Sequence, residues 1–246
     1  MPPKRPRATL TDPGPPFPSG RVLVVTGTDT GVGKTVVAGL LVRALRGAGI
    51  DAIGLKPVCS GGREDAIALQ AAAGCVLGLD AVNPWSFSAA LAPAVAARRA
   101  GKTVTLTRVL THIRRLARCH KVTVVEGAGG LLSPLGEDFD SRDLIRALRA
   151  IPVVVCPNRL GAINQSLLVW EALSRRVRPR ARLALLEPLV PDGSQRSNVS
   201  LLRRRLGRDR VILLPRFSEA EVRDPEAVYR RVRRALVKVV RGFSWE

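Results

Sequence analysis

Val22-Leu-Val-Val-Thr-Gly-Thr-Asp-Thr-Gly-Val-Gly-Lys-Thr35 is the stretch from which the fold of this chain can be read. An apolar run of strand type, residues 22–25, enters a loop carrying Gly27, Gly31 and Gly33. Lys34 and Thr35 then open an amphipathic segment, residues 36–46, with helical spacing. Backbone amides at such a turn converge on one small volume, and the helix dipole adds partial positive charge there. Lys34 offers a full charge to outer phosphates, and Thr35 a hydroxyl to a bound Mg²⁺. The general phosphate-loop pattern asks for Gly at position 28. This chain has Thr28, with its glycine one place earlier.

Outward from that loop, strands and helices alternate. A second strand over residues 51–56 ends in Lys56, at the carboxyl edge where open α/β sheets build ligand crevices. Asp65 falls in the first turn of the next helix, where it can serve either as a dipole partner or as a metal ligand. Residues 81–102 are read as less regular, broken at Asn83-Pro84-Trp85 and Pro93, and an arginine-faced helix follows over residues 106–119. His112 and His120 have no metal-ligand spacing and are read as surface residues. The β-branched run at residues 121–125 is a central strand with Glu126 at its end, a carboxylate placed to reach Mg²⁺ directly or through water. The glycines after it let backbone approach a ligand closely.

Further helices are expected over residues 141–150, 161–175, 199–206 and 228–240, and strands over residues 152–156, 183–187 and 211–214. This alternation predicts an α/β fold: a doubly wound, mainly parallel sheet with helices on both faces. No linker or composition boundary divides residues 21–246, which are read as one domain, and residues 1–20, with seven prolines, are expected to form a disordered basic tail. No apolar run approaches the ~20 residues that span a bilayer.

The net charge is +20 over 246 residues, mostly from arginine clusters such as 203–205. Such a field favours anions. No aromatic residues interleave with the clusters, so they do not read as a base-stacking surface and no specific nucleic acid is expected. The cysteines Cys59, Cys75, Cys119 and Cys156 form no close pair, Cys75 and Cys156 reading as small buried side chains in a reducing cytoplasm.

Taken together, five stretches resemble the dethiobiotin synthetase family of P-loop NTPases. They are Val25-Thr-Gly-Thr-Asp-Thr-Gly-Val-Gly-Lys-Thr35, Gly54-Leu-Lys-Pro-Val-Cys-Ser-Gly61, Asn83-Pro-Trp-Ser-Phe87, Val124-Val-Glu-Gly-Ala-Gly-Gly130 and Leu160-Gly-Ala-Ile-Asn164. They follow the family's order over residues 21–175, and the offset glycine is what that family shows. The resemblance implies an ATP-dependent ligase of biotin synthesis, a homodimer that joins CO₂ (or bicarbonate) to 7,8-diaminopelargonate and closes a ureido ring. It implies nucleotide contacts from Gly31, Val32, Gly33, Lys34, Thr35, Val36, Gly127, Ala128 and Gly129. Thr35, Asp65 and Glu126 would hold Mg²⁺, and Lys34, Lys56 and Thr30 would serve the chemistry. Thr30, Lys56, Ser60, Gly129 and Asn164 would contact the second substrate. Glu187, Pro188, Leu214, Pro215 and Arg216 would contact the base end of the nucleotide.

The chain also departs from that pattern. The segment between Ser60 and Asp65 is short, and Ala94 follows Pro93 where the family often has His. Better-known members have Asn-Asp where this chain has Glu187-Pro188. A carboxylate accepts hydrogen bonds but donates none, which predicts altered base selectivity. Rival readings are a partitioning-type ATPase that binds DNA and an inactive synthetase homologue. The first usually has lysine where this chain has Asp29, and the second sits poorly with Lys34, Thr35, Lys56, Asp65 and Glu126 all being present.

Overall fold

The computed structural model describes residues 21–215 together with 229, 230 and 232. The expected tail, Arg216 and the expected helix over 228–240 therefore lie outside the described residues, save three positions of that helix. The described chain forms strands β1 (Arg21–Gly27), β2 (Ala52–Leu55), β3 (Val58–Ser60), β4 (Trp85–Phe87), β5 (Val122–Glu126), β6 (Ile151–Pro157), β7 (Arg182–Leu186) and β8 (Val211–Leu214). Its helices are α1 (Lys34–Gly47), α2 (Glu64–Ala72), α3 (Leu79–Val82), α4 (Pro93–Arg99), α5 (Leu106–Ala117), α6 (Ser141–Ala147), α7 (Ala162–Ala172) and α8 (Gln195–Leu206).

Six strands make one parallel sheet in the order β2-β5-β1-β6-β7-β8. Residues on each strand alternate between two cores, as the period of two in a strand requires. In β1, Val22 and Val24 face the core that also takes Val109 and Ile113 of α5. Leu23 and Val25 face the core formed with Val37 and Leu41 of α1. Both faces being covered explains why these strands read as unbroken apolar runs. Helix α5 buries Leu106, Val109, Leu110, Ile113, Leu116 and Ala117, the spacing of one helical face, and turns Arg108 and Arg115 outward, while Arg114 donates to the Ala147 carbonyl. An Asp140–Asp143 capping box fixes the start of α6.

β1 lies between β5 and β6, and the chain after β1 first builds the β2 side before crossing to the β6 side. The carboxyl end of β1 is therefore the topological switch point of the sheet, where such folds bind ligands.

The structure corrects several expectations. The less regular stretch 81–102 holds the end of α3, the three-residue β4 and the short α4, and β4 pairs in parallel with β3, a pairing that was not expected. Strands of three residues are too short to show a period. What fixes the pairing is the buried side chain of Asn83, whose Nδ2 donates to the Lys56 carbonyl at 2.6 Å. Helix α8 begins four residues before the expected position 199, because the Asp192 carboxylate accepts from the Ser194 amide and the Gln195 side chain just ahead of it. Cys75 is exposed rather than buried: it follows α2 with φ 55°, so the chain turns away from the core there. His112 is half-buried, its Nε2 2.8 Å from the Ala81 carbonyl and its ring edge-on to Trp85, and burial lowers its pKa.

Candidate active site

The phosphate loop is built by backbone conformation. Gly31 and Gly33 have φ of 70° and 92°, left-handed values that suit glycine. Gly33 caps the N-terminus of α1, so the first amides of that helix face the loop without a side-chain cap. Lys34 folds back across the loop, its Nζ donating to the Asp29 carbonyl at 2.8 Å. Burial, then the nearby Lys56 charge, lowers its pKa.

Beside it stands a cluster drawn from two strand ends and two helix starts. Lys56, immediately after β2, donates to Glu126 Oε1 at 2.6 Å, to Asp65 Oδ2 at 2.8 Å and to the Gly127 carbonyl at 3.2 Å. Lys56 and Glu126 are both buried, with side-chain exposures of 3% and 1%. Burial pulls the Lys56 pKa down, but Glu126 and Asp65 outweigh it and hold that pKa above the ordinary value. Burial likewise pushes on Asp65, whose carboxyl is nonetheless held low by Lys56. The short segment after Ser60 thus still delivers Asp65 to Lys56.

Thr35 Oγ1 lies 2.7 Å from Asp65 Oδ1 and 2.9 Å from Glu126 Oε1. One hydroxyl has one proton and cannot serve both carboxylates at once. The second oxygen of Glu126, Oε2, is buried with no hydrogen-bond partner. Burial pushes the Glu126 carboxyl up, with Lys56 opposing. Crowded oxygens and an orphaned carboxylate oxygen fit a small hard cation, which takes oxygen donors and relieves both.

A cavity of about 420 Å³ runs from loop residues 29–33 and Val36 to Arg159, Gln165, Glu187 and Pro188. That volume suits a nucleotide-sized ligand. Its far wall is organised by Asn158, which is fully buried. Asn158 Nδ2 donates to Glu187 Oε1 at 3.0 Å, and its Oδ1 accepts from Asn198 Nδ2 at 3.2 Å. The Gln195 side chain donates to the Asn158 carbonyl.

The structure therefore brings Thr30, Gly31, Val32, Gly33 and Val36 to the cavity and Lys34, Thr35, Lys56, Asp65, Glu126 and Gly127 to the cluster beside it. Gly129 has φ 68°, and a Cβ there would reach Thr30 Oγ1 at 3.8 Å. Ala128 packs partly buried against the core. Ser60 Oγ donates to the Leu91 carbonyl at 2.6 Å, at the end of β3. Asn164 is exposed in the first turn of α7 and does not line the cavity. Leu214 is fully buried in the core, and its carbonyl, not its side chain, reaches Glu187, accepting that residue's amide at 2.9 Å. Pro215 is half-buried and is not in the cavity wall.

Sequence reasoning missed Asn158, Arg159 and Gln165. Asn158 directly follows β6 at the carboxyl edge, the same position that drew notice to Lys56 and Glu126, and that position was the available signal.

A family described as an AAA domain matches residues 21–216. An ATP-dependent dethiobiotin synthetase of Anaeromyxobacter dehalogenans strain 2CP-C is 46% identical over 205 residues, covering 79% of this chain and 90% of that protein. The enzyme of the same name from Anaeromyxobacter sp. strain K is 50% identical over 160 residues, 63% of this chain and 72% of that one. That of Xylella fastidiosa strain Temecula1 is 44% identical over 157 residues, 61% and 70% of the two chains. With these matches added to the phosphate loop, the buried Lys56–Glu126 pair and the parallel sheet that carries them, the chain belongs to the ATP-dependent dethiobiotin synthetase family.

Proposed function

We propose that this chain catalyses the family's reaction through the Lys34–Thr35–Lys56–Asp65–Glu126 cluster. It is an ATP-dependent dethiobiotin synthetase, a cyclo-ligase of biotin biosynthesis. 7,8-Diaminopelargonate takes up CO₂ as a carbamate, whose oxygen attacks the γ-phosphate of ATP and displaces ADP. The resulting carbamic-phosphoric anhydride is closed by the neighbouring amine, which expels phosphate and forms the ureido ring.

The observation that carries the reading is the buried Lys56 ammonium between two carboxylates beside the phosphate loop. Phosphoryl transfer needs positioning and charge neutralisation more than covalent help. Lys34 would release the Asp29 carbonyl and pair with the outer phosphates. Lys56, fixed in place and held charged, stabilises negative charge on the carbamate and the transferring phosphoryl group. Thr30 and Gly129, which adjoin each other, and Ser60 bind the carbamate and amine end. Asn164, on the exposed start of α7, would meet the substrate's tail carboxylate.

Thr35, Asp65 and Glu126 would hold Mg²⁺, which when bound neutralises phosphate charge and orients the leaving oxygen. We assign the chain a homodimeric state, supported by Leu160 and Leu168 standing 81% and 63% exposed at and beyond the start of α7. Among the described residues no helix is long and apolar enough to cross a membrane. Four free cysteines support a reducing cytoplasmic setting.

Phosphate release measured with nucleotide, diaminopelargonate, bicarbonate and Mg²⁺ tests the reading. Omitting any one component should stop release; release that continues without diaminopelargonate overturns it.

A further inference from the structure

We infer that Arg63 and Asn83 are positioning residues, a strut that holds the Lys56 main chain and the start of α2 in register for phosphoryl transfer. The inference rests on the proposal that the Lys56 ammonium serves that step. Neither residue is in the wall of the nucleotide cavity, and neither is a partner of the ammonium itself. They act on its backbone.

Lys56 stands one residue past β2, beyond the last rung of the sheet ladder, so its main-chain groups need other partners. The end of α3 supplies both. The Lys56 amide donates to the Val82 carbonyl at 3.0 Å, and the Lys56 carbonyl accepts from Asn83 Nδ2 at 2.6 Å. Asn83 is 1% exposed, and Arg63 Nε donates to its Oδ1 at 3.1 Å. Arg63 Nη2 donates to the carbonyls of Leu79 and Asn83 at 3.2 and 3.0 Å and to Asp80 at 2.8 Å. Asp80 is 94% exposed, so that ion pair contributes little. The guanidinium works here as a rigid planar fork bound mostly to neutral oxygens.

Arg63 is also the N-cap position of α2, two residues before Asp65, and no side chain caps that helix start. The segment leading to it carries Gly61 and Gly62 at φ 83° and 144°, residues that leave the backbone free to turn in many ways. One buried amide therefore joins the backbone that presents Lys56 to the guanidinium that fixes where α2 begins. The 2.8 Å contact between Lys56 Nζ and Asp65 Oδ2 depends on that register. A displacement of about 1 Å at a reacting centre can cost about 10²-fold in rate.

The test compares the parent with Arg63→Lys, which keeps the charge and loses the fork, and with Asn83→Asp. The latter keeps an acceptor for Arg63 and loses the donor to Lys56. Turnover is expressed per ADP-binding site, counted by titration calorimetry, so that misfolded chains drop out. Both variants should lower kcat per site about 10²-fold and leave ADP affinity near the parent's. Acylation of Lys56 by acetic anhydride, read by mass spectrometry, should be slow in the parent and faster in both variants. A kcat per site within a few-fold of the parent, or ADP affinity falling as far as kcat, overturns the inference. A parent without diaminopelargonate-dependent turnover would remove the proposed reaction, and faster Lys56 acylation in the variants would leave the strut standing. Turnover in the parent, with kcat and Lys56 acylation unchanged in the variants, would do the reverse.

Discussion

The two ends of the nucleotide cavity are built on different principles. At the phosphate end, the Lys56 ammonium and the carboxylates of Asp65 and Glu126 are locked together beside Lys34, with Lys56 and Glu126 almost wholly removed from water. At the base end, an uncharged amide network around Asn158 holds a single exposed-edge carboxylate, Glu187. The phosphate end must manage charge that moves during the reaction, so it needs ions that are already fixed. The base takes no part in bond making. Its wall can change from one hydrogen-bond pattern to another without disturbing the chemistry, provided the supporting amides stay in place.

Removing the loop's charge should have the largest effect. Lys34→Ala should lower kcat/KM about 10³-fold while thermal unfolding stays near that of the parent, since Lys34 makes one hydrogen bond and no ion pair among the described residues. Activity within a few-fold of the parent would take Lys34 out of the mechanism.

The buried pair separates stability from function. Lys56→Met strands Glu126 without its cation and should cost ~3 kcal/mol in a denaturant titration. Adding Glu126→Leu should recover much of that stability, because an apolar pair of similar size can replace a buried ion pair. Turnover should stay absent in both. Recovery of activity along with stability would show that the pair only holds the fold.

At the base end the effect should be smaller and of another kind. Asn158→Ala leaves Asn198 and Glu187 short of a partner and should destabilise by ~1–3 kcal/mol. It should raise the nucleotide KM more than it lowers kcat, because the base wall loosens while the phosphate end is untouched. An equal fall in kcat would show that the two ends are not independent.

The smallest expected effect is at Asp192, which is fully exposed and accepts from the Leu160 and Ser194 amides. The Ser194 hydroxyl, followed by these amides, holds its carboxyl below the usual range. A folded-state value below the unfolded one means that its contribution is complete above pH ~4 and is lost on further acidification. Parent and Asp192→Asn should therefore differ slightly in thermal midpoint at neutral pH and converge in acid; a gap that widens in acid would contradict this.

Most of the phosphate end could be read from the chain. Val22 to Thr35, Lys56 and Glu126 sit directly at strand ends, and strand ends are visible as the close of apolar runs. Asp65 stayed ambiguous between dipole partner and ligand because only the fold shows that α2 brings it 2.8 Å from Lys56. The base end was less legible. Glu187 drew notice as a departure, but Asn158 looked like an ordinary loop residue, since its importance comes from contacts 29 and 40 positions away. β3 and β4 were hidden for a related reason: their pairing depends on the side chain of Asn83 rather than on any periodic pattern.

The central claim is that the ionic cluster beside the loop couples phosphoryl transfer to ring closure. Its most direct test uses ¹³C-bicarbonate, diaminopelargonate, Mg²⁺ and ATP, following phosphate and the labelled product by mass spectrometry. The account predicts dethiobiotin carrying the label in its ureido carbonyl, formed in equal amount with phosphate and absent with Lys56→Met. Phosphate released without labelled product, or labelled product formed undiminished by Lys56→Met, would contradict it.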